Sequence, residues 1–162
     1  MWVEHPLIKE KAMEYREYQV RIAETCLRGN TLVVLPTGLG KTNIALLVIC
    51  TLFSKNQDCR ILFLAPTKPL AAQHKKTFER ITEIPKEFMV LVTGEQPRYK
   101  RMGLYKYKLI FATPQTVKND LEEGILSLED FCMVVFDEAH KAVGNYAYVY
   151  IAKKYLEQAK NP

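Results

Sequence analysis

No pair among the four cysteines, Cys26, Cys50, Cys59 and Cys132, has C-x-x-C spacing. The sequence therefore lacks the signature of structural zinc or of a redox dithiol. Three of the four sit among apolar residues, which reads as reduced, buried thiols. Long apolar runs are also missing. The longest, Ile44–Cys50, falls far short of the roughly 20 residues that cross a bilayer. The opening MWVEHPLIKE has no apolar signal core, and no repeat or low-complexity tract interrupts the chain. These absences argue against a membrane span, a zinc module and a repeat array.

What is present fits one domain. A chain of 162 residues with 48% hydrophobic and 25% charged content can bury a sizeable core. Its net charge of +5, from 23 basic and 18 acidic residues, favours a polyanionic partner only weakly. Apolar runs of strand length recur at 31–36, 60–66, 89–94, 108–114 and 131–137. They are continuous rather than alternating, as expected of strands covered on both faces in a parallel sheet. Helical stretches fall between them, at 41–54, 70–84, 115–123 and 146–158, with an opening helix over 15–28 that stops at Gly29. The order α, then repeated βα, predicts a doubly wound α/β domain with helices on both faces. The helix over 41–54 is apolar on nearly every side, which predicts a buried helix rather than an amphipathic one. Trp2 reads as an anchor for the N-terminal segment.

The stretch VVLPTGLGKTNIA joins a predicted strand to that buried helix. Ligands of parallel sheets bind beyond the carboxyl ends of the strands. A helix N-terminus there offers free N–H groups and partial positive charge to a phosphate. The loop Pro36-Thr37-Gly38-Leu39-Gly40 would wrap the phosphates, its glycines allowing close backbone approach. Lys41 would reach the β- and γ-phosphates, and the Thr42 hydroxyl would ligate Mg²⁺. Leu35 stands where the pattern G-x-x-x-x-G-K-[ST] has glycine, so the loop is a P-T-G-x-G-K-T variant.

A second apolar strand, MVVF, runs straight into Asp137-Glu138-Ala139-His140. Both carboxylates therefore fall at the same edge as the phosphate loop. One acid can hold Mg²⁺, usually through water. The other can orient and deprotonate an attacking water. Asp137 is assigned to the metal and Glu138 to the water, which with Lys41 makes a catalytic set.

PTGLGKT together with DEAH resembles the superfamily 2 helicases and translocases, built from two RecA-like domains. YREYQ, ending at Gln19, is similar to the adenine-recognising segment of that family. APTKPLAAQ at 65–73 resembles motif Ia, and TGE at 93–95 and ATPQT at 112–116 resemble further strand-contacting motifs. The wording VLPTGLGKT, LAPTKPL, FATPQT and VFDEAHKAVGNYAY is most similar to the archaeal Hef and Fanconi anaemia M branch of fork-remodelling DNA translocases. RNA-sensing helicases are the next nearest group. The resemblance implies ATP and Mg²⁺ as cofactors and forked or single-stranded DNA as partner. It also implies no membrane, a nuclease domain in the parent protein, and a place in the archaeal cytoplasm or the eukaryotic nucleus.

Within that resemblance, the Gln19 amide would bind the adenine edge at two points, with Arg16 in support. Thr67, Lys68, Gly94, Thr113 and Gln115 would hold backbone phosphates without reading bases. Helix capping is an equal reading for the two threonines. His140 would couple the nucleotide site to domain movement, whereas His5 and His74 match no pattern. Gln96–Lys108, QPRYKRMGLYKYK, carries five cations, no acid and three tyrosines. It reads as a solvated loop with its tyrosines against the sheet, or alternatively as a nucleic-acid patch.

No Ser/Thr-Ala-Ser/Thr motif follows His140. Residues 1–162 are thus expected to form the N-terminal RecA-like ATP-binding domain, truncated before motif III and without the second domain and its arginine fingers. A gap in the sheet, filled by a partner strand, would follow. The competing reading is a nucleotide- or nucleic-acid-binding fragment without turnover of its own; an RNA helicase is a further alternative.

Overall fold

The structure is a computed structural model describing residues 4–9, 13, 41–55, 58–137 and 146–158, without the side chains of Lys41 and Thr42. The predicted strand over 31–36, the opening helix over 15–28, Trp2 and Cys26 lie outside the described residues. So do Arg16, Gln19, the loop 36–40, Glu138 and His140.

Among the described residues four strands form one parallel sheet: β1 (Arg60–Leu64), β2 (Met89–Val92), β3 (Leu109–Ala112) and β4 (Phe131–Phe136). Their order across the sheet is β2-β3-β1-β4. The described α-helices are α1 (Lys41–Lys55), α2 (Lys68–Ile81), α3 (Arg98–Leu104), α4 (Pro114–Glu122) and α5 (Tyr146–Gln158). Among the described residues no helix is long and apolar enough to cross a membrane.

Continuous apolar strands bury both faces, and the two-residue period of a strand sorts their side chains. Odd positions, including Ile61, Phe63, Met89, Leu109 and Phe111, pack with α1 and α2. Even positions, including Leu62, Leu64, Ile110, Ala112 and Val92, pack with α4, α5 and Tyr105. Rings of Phe63, Phe78 and Phe111 meet at centroid distances of 5.4–5.8 Å in the first layer. Helix α1 is as buried as its composition demands, with Leu46, Val48, Ile49 and Cys50 inside. Two of its hydroxyls bond back to the helix itself. Thr51 Oγ1 donates to the Leu47 carbonyl at 2.8 Å and Ser54 Oγ to that of Cys50 at 3.0 Å.

Element ends follow local chemistry. Helix α2 starts two residues before the sequence expectation because Thr67 caps it, its hydroxyl accepting from Leu70 N–H at 3.3 Å, and Pro69 fits the first turn. It ends at Ile81, short of Ile84. Thr82 takes extended geometry and pairs with Ile8 in an antiparallel bridge, and Ile84 precedes a proline. Thus, among the described residues, Leu7, Ile8 and Lys9 tie the N-terminal segment to the end of α2.

Two expectations are corrected. The basic stretch is not a loop: Arg98–Leu104 is a helix. Its register is held by Arg101 and Tyr105, both buried. Cys59 and Cys132 are joined as a disulfide rather than reduced. Cys59 precedes β1, and Cys132 is the extra residue where the β1–β4 register shifts, with Ile61 opposite Met133. Adjacent strands thereby bring their Cα atoms to 5.6 Å, a normal disulfide span, across 73 residues of sequence. Cys50 stays a free, buried thiol, pushed up to about 12 by burial.

Candidate functional site

The carboxyl edge of a parallel sheet gathers the loops that leave its strands. Here these are the turns after Leu64, Val92, Ala112 and Phe136. The expected residues Thr67, Lys68, Gly94, Thr113, Gln115 and Asp137 all fall on or just beyond them. Lys41 and Thr42 are the first two residues of α1.

Asp137 is held at three points. Its N–H donates to the Leu64 carbonyl at 2.9 Å, continuing the β1–β4 ladder by one residue. Its carbonyl accepts from Tyr148 Oη, on α5, at 2.7 Å. Its Oδ2 lies 2.9 Å from His74 Nε2, on α2. The strand period explains the last contact: Phe136 points to the α4–α5 layer, so Asp137 turns to the α2 layer where His74 stands. Both side chains are only 12% exposed, and the imidazole packs on the Phe63 ring at 4.8 Å between centroids. Among the described residues Oδ1 has no protein partner. A fixed carboxylate with one oxygen open is the hard donor that a hydrated Mg²⁺ accepts.

His74 matches no sequence pattern, so the residues alone do not single it out. The available signal is its position, about two turns after Thr67 on the helix that follows β1. Only the helix's rotation aims it at Asp137.

The remaining candidates form a ledge beside this point. Thr67 caps α2, so capping is real, and its hydroxyl hydrogen stays available to a phosphate. Thr113 makes no cap bond; its Oγ1 lies 3.2 Å from Thr116 Oγ1. A Cβ on Gly94 would sit 3.4 Å from that same Thr116 oxygen, so the loop after β2 lies close against the start of α4. Lys68 Nζ pairs with Glu95 at 2.7 Å, joining α2 to that loop. Both partners are largely exposed, so the pair is worth little and exchanges readily for a phosphate. Gln115 is exposed and donates to Asn119 Oδ1 at 3.0 Å. Carry-over of roles to Arg16, Gln19, the loop 36–40, Glu138 and His140 rests on sequence, since these lie outside the described residues.

A second feature is hidden from the sequence. Asp120, on α4, is fully buried. Arg101 grips it with two parallel bonds, Nε to Oδ2 and Nη2 to Oδ1, each 2.8 Å. Tyr105 Oη donates to Oδ2 as well. Arg101 Nη1 also donates to the Gln96 carbonyl, tying α3 to the loop of Gly94. The Asp120 hydrogen bond raises the Arg101 guanidinium further above its usual value. Burial, then the bond to Asp120, raises the Tyr105 phenol. A buried charge pair with these bonds satisfied fixes the register of two helices.

Comparison with known proteins bears on the family and the fold. The family profile described as DEAD/DEAH box helicase matches residues 16–161. The crystal structure of the Hef helicase domain from Pyrococcus furiosus superposes with TM-score 0.89 at 48% identity, over 96% of this chain and 33% of that one. A Methanocaldococcus jannaschii protein, named provisionally as an ATP-dependent RNA helicase, is 42% identical over 159 residues, covering 98% of this chain and 20% of its own length. The ATP-dependent DNA helicase MPH1 of Coccidioides immitis is 45% identical over 147 residues, covering 90% of this chain and 13% of its own length. The chain thus spans a third or less of each relative.

Proposed function

The chain belongs to the DEAD/DEAH box helicase family, and from that footing we propose that it is the ATP-binding and hydrolysing N-terminal RecA-like domain of a DNA translocase acting on branched or forked DNA. The observation that carries this is Asp137, pinned at the carboxyl edge of β4 with one oxygen open and the ledge of Thr67, Gly94 and Thr113 beside it. The likeness to Hef and to MPH1 supports DNA; the RNA-helicase name of the archaeal relative keeps RNA as an arm of the test.

In this reading the backbone of Pro36–Gly40 cradles the phosphates at the mouth of α1, and Lys41 draws the γ-phosphate into position. Gln19 pairs with the adenine edge, with Arg16 behind it. Thr42 and Asp137 hold hydrated Mg²⁺, which when bound neutralises charge on the transferring phosphoryl group. Glu138 orients the attacking water and accepts its proton. His140 transmits the nucleotide state to a second RecA-like domain in the rest of a longer protein, which contributes arginine fingers on the order of 10³–10⁵ in rate. Thr67, Lys68, Gly94, Thr113 and Gln115 hold the strand by its phosphates, giving grip without sequence preference.

ATP turnover is measured with forked DNA, single-stranded DNA and RNA, for this chain and for the longer protein. Lys41→Ala is expected to abolish nucleotide binding or turnover, and Glu138→Gln to keep binding and stop turnover. Absence of nucleic-acid-stimulated hydrolysis in both proteins would leave a binding module without chemistry. The small share of each relative that this chain covers favours weak turnover by the chain alone.

A further inference from the structure

Helix α3 divides its side chains sharply. Arg101 and Tyr105, four apart, face inward and are locked on Asp120. Tyr99 and Met102, at i and i+3, lie exposed on the helix beside Lys100, and Lys106 and Tyr107 are exposed in the turn that follows its C-cap, Tyr105. Tyr99 is 74% exposed, Met102 51% and Tyr107 38%. Large aromatic side chains held in solvent on an otherwise polar surface mark a binding face. Among the described residues neither Lys100 nor Lys106 makes an ion pair. Arg98, by contrast, is held by Glu123 at 2.7 Å. The expected packing of the tyrosines against the sheet holds only for Tyr105.

We propose that the exposed side of α3 and of the turn after it is a further contact for single-stranded nucleic acid, Lys100 and Lys106 taking backbone phosphates while unpaired bases stack on Tyr99 and Tyr107. This rests on the nucleic-acid reading above and extends it to residues outside the loops of the carboxyl edge. The chemistry commits to one class of partner. Unpaired cations beside solvent-facing rings match a strand that alternates phosphate with exposed base, and base stacking on aromatics tolerates any sequence. An acidic protein would use the lysines but leave the rings without a role. Position agrees: the Arg101 bond to the Gln96 carbonyl ties the helix directly to the Gly94 loop. A strand leaving the ledge near Gly94 continues onto a rigid surface, because the Arg101–Asp120 clamp orders the backbone before the strand arrives.

The test is fluorescence anisotropy of a labelled single-stranded oligonucleotide and of its duplex, with the full chain across a salt series. The variants are Tyr99→Ala with Tyr107→Ala, Lys100→Gln with Lys106→Gln, and all four together. The tyrosine pair is expected to weaken single-strand binding by about 25-fold or more, at about 5- to 150-fold for each stacked base lost, and to leave duplex binding nearly unchanged. The lysine pair is expected to lower the salt slope by about 1.4, at roughly 0.7 for each phosphate left without its cation. All four side chains are at the surface, so circular dichroism and urea midpoints should match wild type. Wild-type affinity in the four-residue variant overturns this surface alone. An equal loss in Lys76→Gln, on the outer side of α2, or competition by polyglutamate as strong as by unlabelled oligonucleotide, overturns it as mere charge attraction. No binding by the wild-type chain overturns both this surface and the nucleic-acid partner proposed above.

Discussion

His74 Nε2 stands 2.9 Å from Asp137 Oδ2, joining α2 to the end of β4 across 63 residues of chain. Among the described residues Oδ1 of the carboxylate has no protein partner. The bond to His74 is a positioning contact: the imidazole fixes the carboxylate through one of its two oxygens.

Loss of that orientation should show in metal dependence before anything else. For His74→Ala we expect the Mg²⁺ needed for half-maximal ATP turnover to rise by about 10–100-fold, the usual cost of removing the partner of a metal-holding group. His74→Gln, which keeps a donor, should recover part of it. An unchanged Mg²⁺ midpoint with a lowered melting temperature would make His74 purely structural.

Breaking the clamp between α3 and α4 should be severe. Arg101→Met leaves the Asp120 carboxylate buried and without its charge partner, which typically costs about 3–5 kcal/mol. Adding Asp120→Leu and Tyr105→Phe removes the stranded polar groups and should recover most of that. Urea unfolding of the single and triple variants decides the matter; equal losses in both would show that packing volume, not charge pairing, matters there.

Tyr105 sets an alkaline limit. Burial and the Asp120 bond raise its phenol above the usual 10.0. A group raised on folding contributes stability that is complete below its unfolded value and fades as pH climbs above it. Wild type should therefore lose stability above about pH 10 more steeply than Tyr105→Phe, which should cost about 1 kcal/mol at neutral pH. Parallel curves for the two proteins would contradict this role.

Cys50 should be silent in the folded chain. Its thiol is buried and pushed up to about 12, so little reactive thiolate exists at about pH 8. Mass spectrometry after brief alkylation should find the Cys50 peptide unmodified in buffer and fully modified in denaturant. Rapid native labelling would mean that α1 opens readily.

Much of this was legible in the residues. Continuous runs such as RILFL and LIFA could only be strands covered on both sides, and their spacing left room for helices between them. The step from MVVF into Asp137 put an acid at the carboxyl edge without any coordinates. Apolar residues on every side of Ile44–Phe53 required a buried helix. The limit was reached where the signal is not local. A charged helix face and a charged loop have the same composition, so Gln96–Lys108 gave no sign that Arg101 turns inward. Asp120 lies in PQTVKNDLE, where nothing separates a buried acid from a solvated one. Cys59 and Cys132 are far apart in sequence and meet only because β1 and β4 are neighbours.

The sequence by itself determined the layered α/β architecture, the edge on which chemistry would gather, and the residue types waiting there. Those follow from hydrophobic period and chain direction, which act over a few residues at a time. The tertiary structure alone decided which partners those residues meet: His74 for Asp137, Arg101 for Asp120, and solvent for Tyr99. The rotation of each helix about its axis is fixed by packing against the sheet, and that packing depends on side chains distant in the chain.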